Sequence, residues 1–107
     1  MPAYIWSLDI ETSQGRTKAT VTLEGSLDQH SSASFRDCVD EALGARPTFV
    51  VVDAQGLTFV DASGLAALVR ARRAASEAGV AFRVSDASPA LRHVAEEAGF
   101  RALLSDE

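Results

Sequence analysis

Residues 49–68 read FVVVDAQGLTFVDASGLAAL. Phe49-Val50-Val51-Val52 is a continuous, mostly β-branched apolar run, which predicts a strand buried on both faces. From Ser63 to Ala78 the chain is rich in Ala, Leu and Arg. Leu65, Leu68, Val69 and Ala75 share one helical face there, and Gly79 is placed to close the helix. The intervening residues, Asp53 to Leu65, are expected to leave the C-terminal end of the strand, cross a loop and enter the N-terminus of the helix. In an α/β sheet that edge is where ligands and partners usually sit. A helix start also offers unpaired N–H groups and about half a positive charge, so a phosphoryl group added there is tolerated by the helix. A purely local reading of the same residues makes Asp61 or Ser63 the N-cap, Gly56 a turn residue and Leu65 part of the core.

Outward from this unit the pattern repeats. Val80, Phe82 and Val84 alternate with Ala81, Arg83 and Ser85 as a strand. Ser88-Pro89 supplies a cap and a first-turn proline for a helix with Leu91, Val94, Ala95 and Ala98 on one stripe, ended by Gly99. Phe100 to Leu104 is predicted as a short last strand. Upstream, Phe35, Cys38, Val39, Ala42 and Leu43 form a core-facing helical stripe, with Ser31 or Ser32 as cap and Gly44 to end it. Further back, Tyr4, Trp6, Leu8 and Ile10, then Ala19, Val21 and Leu23, alternate with polar residues around a Gly-containing link, as an antiparallel hairpin with one wet face does. The order is β-β-α-β-α-β-α-β: one small α/β domain over residues 1–107, with a mixed, mostly parallel sheet, an antiparallel N-terminal edge strand and right-handed crossovers.

Composition agrees. The 107 residues are 47% hydrophobic and 23% charged, an ordinary globular balance that leaves room for one modest core. Fifteen acids against ten bases give a net charge of −5, which opposes nucleic acid and anionic membrane as partners. The excess is one-sided: nine acids and four bases up to Asp61, six of each from Ala62 onward. Cys38 is the single cysteine, so no internal disulfide or thiolate cluster forms, and its place on the helical stripe predicts a buried core thiol. With no basic leader and no long apolar run, the chain is expected to be soluble and cytoplasmic.

The segment beginning at Phe49, with DAQGLTFVDASGLAAL inside it, resembles the STAS domain, and specifically the small stand-alone bacterial anti-sigma factor antagonists, or anti-anti-sigma factors. The likeness extends to Gly25-Ser26-Leu27-Asp28, similar to a family Gly-x-Leu-Asp at the end of the second strand, and to the Ser-Pro before the third helix. It implies a STAS-type, SpoIIAA-like fold. The implied function is transcription regulation without enzymatic activity: binding an anti-sigma factor, usually a serine kinase of the histidine-kinase-like ATPase type, and so freeing a sigma factor. Such a kinase phosphorylates the antagonist at the helix start and a PPM-type phosphatase reverses it. The family pattern Asp-Ser/Thr-x-Gly-Leu places the acceptor hydroxyl directly after the aspartate. Here that residue is Ala62, and Ser63 follows one place later, rotated by about 100° on the helix. Ser63 is therefore the candidate phosphoacceptor, set against constitutive binding without the phospho-switch.

The candidate partner-binding residues are Asp28, His30, Ser31, Phe59, Asp61, Ala62, Ser63 and Gly64. Gln29 and Ser32 share the first loop, and Leu57, Phe59 and Val60 are the apolar companions, at least one of the three packed inward. Turn and cap chemistry also explains Asp28 to Ser32. His30 and His93 have no metal-ligand spacing, so no metal, cofactor or catalytic role is expected. Arg70, Arg72 and Arg73 read as a solvated basic face. A receiver domain phosphorylated on Asp53 is rejected, because Asp9 and Glu11 are not an adjacent acidic pair and Lys18 is the one lysine, in the hairpin. The alternative is a non-switching STAS accessory subunit, such as that of a lipid-transport ATPase, using the same patch. Leu65→Glu is expected to damage the fold, and Asp61→Arg to weaken partner binding while leaving thermal unfolding nearly unchanged.

Overall fold

The computed structural model describes residues 5–104, without the side chains of Ile5 and Trp6; Tyr4 and the side chain of Trp6 thus lie outside the described residues. Strand β1 (Ile5–Ser13) and strand β2 (Arg16–Leu27) form the hairpin, turning through Gln14 and Gly15, both at positive φ. Two successive positive φ values make the turn whose twist matches paired strands. Helix α1 (Ser32–Gly44), strand β3 (Phe49–Val60), helix α2 (Ala62–Glu77), strand β4 (Ala81–Ser85) and helix α3 (Pro89–Glu97) follow. The sheet order is β1-β2-β3-β4, antiparallel between β1 and β2 and parallel thereafter.

One face of this sheet carries the core. Ala19, Val21 and Leu23 of β2, Val50, Val52 and Ala54 of β3 and Val84 of β4 join Phe35 and Val39 of α1, Leu65 and Leu68 of α2 and Leu91 and Ala95 of α3 in a single buried cluster. Each large apolar side chain so buried stabilises the fold by about 1.5–3 kcal/mol. On the opposite face Val51, flanked in register by Thr20 and Arg83, is only 6% exposed, so the Val run is buried on both faces as the sequence predicts. At the outer edge Ile10 lies in register with Ala19 yet stays 46% exposed.

Three expectations need correction. Residues 53–60 are not a loop: β3 continues to Val60, and Asp61 caps α2 directly. The strand extends because β2 keeps pairing with it, absorbing two extra residues. The register offset between paired residues is 31 at Lys18–Phe49, 32 at Glu24–Gly56 and 33 at Ser26–Phe59, the mark of two bulges, which bend a strand and re-aim its side chains. Second, Phe100 to Leu104 is not a strand; Arg101–Leu104 form a 3-10 turn. Gly99 takes φ +79 after α3, the Phe100 N–H bonds back to the Ala95 carbonyl at 2.8 Å, and the turn buries Leu103 in the core. Third, Cys38 is half-buried at the margin of the core rather than enclosed. At the end of α1, Gly44 is still helical, and the left-handed residue is Arg46 at φ +55.

Candidate protein-binding edge

The C-terminal ends of β2 and β3 and the start of α2 meet at one edge of the sheet. Leu27 pairs with Val60, and the Asp61 N–H points at the Leu27 carbonyl at 3.4 Å. Next to it the Asp28–Ser31 turn is held from inside. The Asp28 Oδ1 accepts the N–H groups of His30 at 2.9 Å and Ser31 at 3.1 Å. The Ser31 hydroxyl accepts the Asp28 N–H at 3.0 Å and donates to the Ser26 carbonyl at 2.9 Å. Ser32 ties this turn to the helix start, its hydroxyl bonding the Asp28 carbonyl and lying 3.4 Å from that of Ser63. The sequence thus places Asp and Ser where turn chemistry needs them, and the turn presents its remaining side chains outward.

Asp61 is the N-cap of α2: its Oδ1 accepts the Gly64 N–H at 2.9 Å, and its carbonyl accepts the Leu65 N–H at 3.0 Å. Ser63 is therefore free of the capping role. Its side chain is exposed, as is Ala62, and among the described residues its hydroxyl has no hydrogen-bond partner in the chain. The backbone N–H groups of Ala62 and Ser63 likewise have no acceptor there. Phe59, in register with Ser26, is 51% exposed, and the neighbouring Thr58 hydroxyl donates to the Gly25 carbonyl at 3.1 Å.

The sequence candidates thus divide into two groups. His30, Phe59, Ala62 and Ser63 are exposed on one edge, with Asp28 and Asp61 partly so. Ser31, 1% exposed, and Gly64 are buried and present no side chain to a partner; they shape the edge. Leu57 and Val60 both pack inward. What residue patterns did not reveal is an apolar groove of about 520 Å³ running from Ala62 along Leu65 and Val69 of α2 to Val94 of α3 and Phe100. Its signal in the sequence was Phe100, a large apolar residue just past a helix-ending glycine.

No group of three or more His, Cys, Asp or Glu side chains that could hold a metal occurs among the described residues, and no helix of theirs is long and apolar enough to cross a membrane. Cys38 has its thiol pKa pushed up by burial and, secondarily, by the charge of Glu41. A thiol held protonated is a poor nucleophile.

A family model described as "Mlab, STAS domain" matches residues 10–105. The chain is a STAS domain. This STAS domain is 30% identical over 94 residues to an anti-sigma F factor antagonist of Paenibacillus polymyxa, a match spanning 87% of this chain and 80% of that one. Among solved structures it superposes on an anti-sigma factor antagonist from Mycobacterium paratuberculosis with a TM-score of 0.75 at 18% identity, covering 94% of this chain and 83% of the other. The Bacillus cell fate determinant SpoIIAA in its phosphorylated form gives a TM-score of 0.67 at 22% identity, with 94% and 91% covered. At such identities these two structures speak for the fold.

Proposed function

We propose that this STAS domain is an anti-sigma factor antagonist, which binds an anti-sigma factor through the edge formed by His30, Phe59, Asp61, Ala62 and Ser63 and so releases the sigma factor held by it. The observation that carries this reading is the exposed cluster at the start of α2, rigidly joined to β3, in a chain 30% identical to a protein named as such an antagonist. The partner in this reading is a serine kinase of the histidine-kinase-like ATPase type, with a PPM-type phosphatase acting where phosphate is added. Because Ala62 lacks a hydroxyl, binding is constitutive. Ser63 is the one remaining candidate acceptor in the exposed first turn, and its free hydroxyl supports keeping it so. The protein acts by occupying a surface, without a reaction of its own, in the cytoplasm.

A second reading, which membership of the STAS family accommodates equally, is the accessory subunit that the resemblance in sequence also implied, holding a lipid-transport ATPase through the same edge. Affinity capture from native cell extract separates the two: recovery of an anti-sigma factor supports the first, and recovery of a transporter nucleotide-binding subunit replaces it with the second.

A further inference from the structure

The two edges of the sheet are finished differently. At one, β4 is five residues long and the 3-10 turn Arg101–Leu104 lies against it. At the other, β1 runs for nine residues, and among the described residues no strand pairs with its outer side. A strand so placed presents a row of unpaired N–H and C=O groups, which proteins commonly blunt with a bulge, a proline, a lysine or a very short run. β1 has none of these. Its pairing with β2 keeps one register from Ile5–Glu24 to Ser13–Arg16, and its sequence, IWSLDIETS, holds neither Pro nor Lys.

The side chains along this edge sort by face. Leu8 and Ile10 pair with Val21 and Ala19 and so share the face that carries the core. Leu8 is half-buried there, whereas Ile10 is 46% exposed. Helix α1 packs over β1 and β2 on this face. Arg36 and Asp40 line its groove with α2, so Ser34 and half-buried Cys38 lie on the flank turned toward β1. A strand laid beside β1 would cover Ile10 beneath that flank. On the open face Asp9 and Glu11 are exposed, and among the described residues neither carboxylate has an ion pair. These charges choose the occupant. A second copy of the chain, paired antiparallel about Asp9, Ile10 or Glu11, would set acid opposite acid, which destabilises a strand pair, whereas opposite charges there stabilise it. Main-chain bonds to such an edge supply affinity for any extended segment, and alternate side chains supply the selection.

We infer that the outer edge of β1 takes up an extended segment of another protein as a fifth strand, with apolar side chains over Leu8 and Ile10 and, at the alternate positions, basic side chains beside Asp9 and Glu11. The inference is independent of the anti-sigma reading: Ile10 pairs with Ala19, eight residues before Leu27 on β2 and so about 27 Å from the helix-start edge. The test is titration of the full chain with a short peptide of alternating Lys and Val, with an isomer that gathers its Lys and Val into separate blocks, and with an alternating Glu-Val peptide, read by amide NMR and calorimetry. The expected result is chemical-shift change centred on Ser7 to Ser13 and Cys38, slower hydrogen exchange at alternate β1 amides, and the alternating Lys-Val peptide bound at least tenfold more tightly than either control. Ile10→Lys should lose at least tenfold in that affinity while keeping its melting temperature, D9K/E11K should come to prefer the Glu-Val peptide, and Asp61→Asn should bind as the native protein does. Unperturbed β1 amides, equal binding of the block isomer, or native affinity in Ile10→Lys would overturn the proposal. So would a concentration-dependent dimer in sedimentation that Ile10→Lys dissolves, since the edge would then belong to a second copy of the chain.

Discussion

Gly64 lies against the carbonyl of Leu27 so closely that a β-carbon on it would sit 2.0 Å from that oxygen. Nothing nearby yields cheaply, because the obstacle is backbone that itself accepts the Asp61 N–H. Gly64→Ala therefore forces α2 away from the end of β2. Overpacking of this kind costs about 1–3 kcal/mol, and a backbone obstacle places it at the upper end, about 3 kcal/mol. Chemical denaturation should show it, together with weakened partner binding, since the strand end and helix start that form the edge are pushed apart.

Asp61 has a structural duty that revises the sequence-based expectation for its Arg variant. Losing the cap to Gly64 costs about 1 kcal/mol, and a cation beside the helix N-terminus costs about 0.3–1 kcal/mol more. Asp61→Arg should thus lower stability measurably, whereas Asp61→Asn retains an acceptor oxygen and should stay within about 0.5 kcal/mol of the native protein. Asp61→Asn is consequently the informative variant for binding. A tenfold or larger loss of affinity by calorimetry would mean that the partner reads the carboxylate charge; native affinity would reduce Asp61 to a cap.

The residue after Asp61 decides the switch. Incubated with its cognate kinase and ATP, the native protein should show little added mass, while Ala62→Ser should gain one phosphoryl group by intact-mass spectrometry. Stoichiometric modification of native Ser63 would contradict constitutive binding, and Ser63→Ala would then abolish it.

Cys38 supplies a pH dependence. With its folded pKa raised by burial and Glu41, the neutral thiol is favoured in the folded state, so the unfolded chain ionises first. Stability is fully present below the ordinary thiol pKa and falls as pH rises from there through the raised value. Denaturation midpoints taken across that alkaline interval should decline in the native protein and stay flatter in Cys38→Ala. Alkylation of Cys38 at neutral pH should be slower than that of an exposed peptide thiol.

Much of this was legible from residue order. The Val50–Val52 run, the cap at Ser88-Pro89 and the glycines ending α2 and α3 each state a local rule that tertiary packing leaves intact. Where sequence reading went astray, a non-local partner decided the outcome. Gln55, Gly56 and Thr58 are typical loop residues, yet the end of β2 offers them a ladder, and Gly56 admits the close approach of Glu24, whose Cγ would be 2.8 Å from a β-carbon there. Phe100 to Leu104 is a short, largely apolar run but is rich in helix formers rather than β-branched residues; the chain leaves Gly99 already turned, and Leu103 reaches the core without a ladder. At the edge, residue type singled out both Ser31 and Ser63 and could not separate them. Burial does: one hydroxyl is consumed in the Asp28 turn and the other faces solvent.

The direct succession of Val60 and Asp61 also bears on kinetics. With no linker between the central strand and α2, the contact edge has few backbone torsions left to freeze when a partner arrives, and each residue spared that ordering avoids about 1–2 kcal/mol of conformational entropy. Association should resemble rigid docking, its rate set by orientation and salt, and affinity differences among variants of the edge should emerge in how fast the complex falls apart.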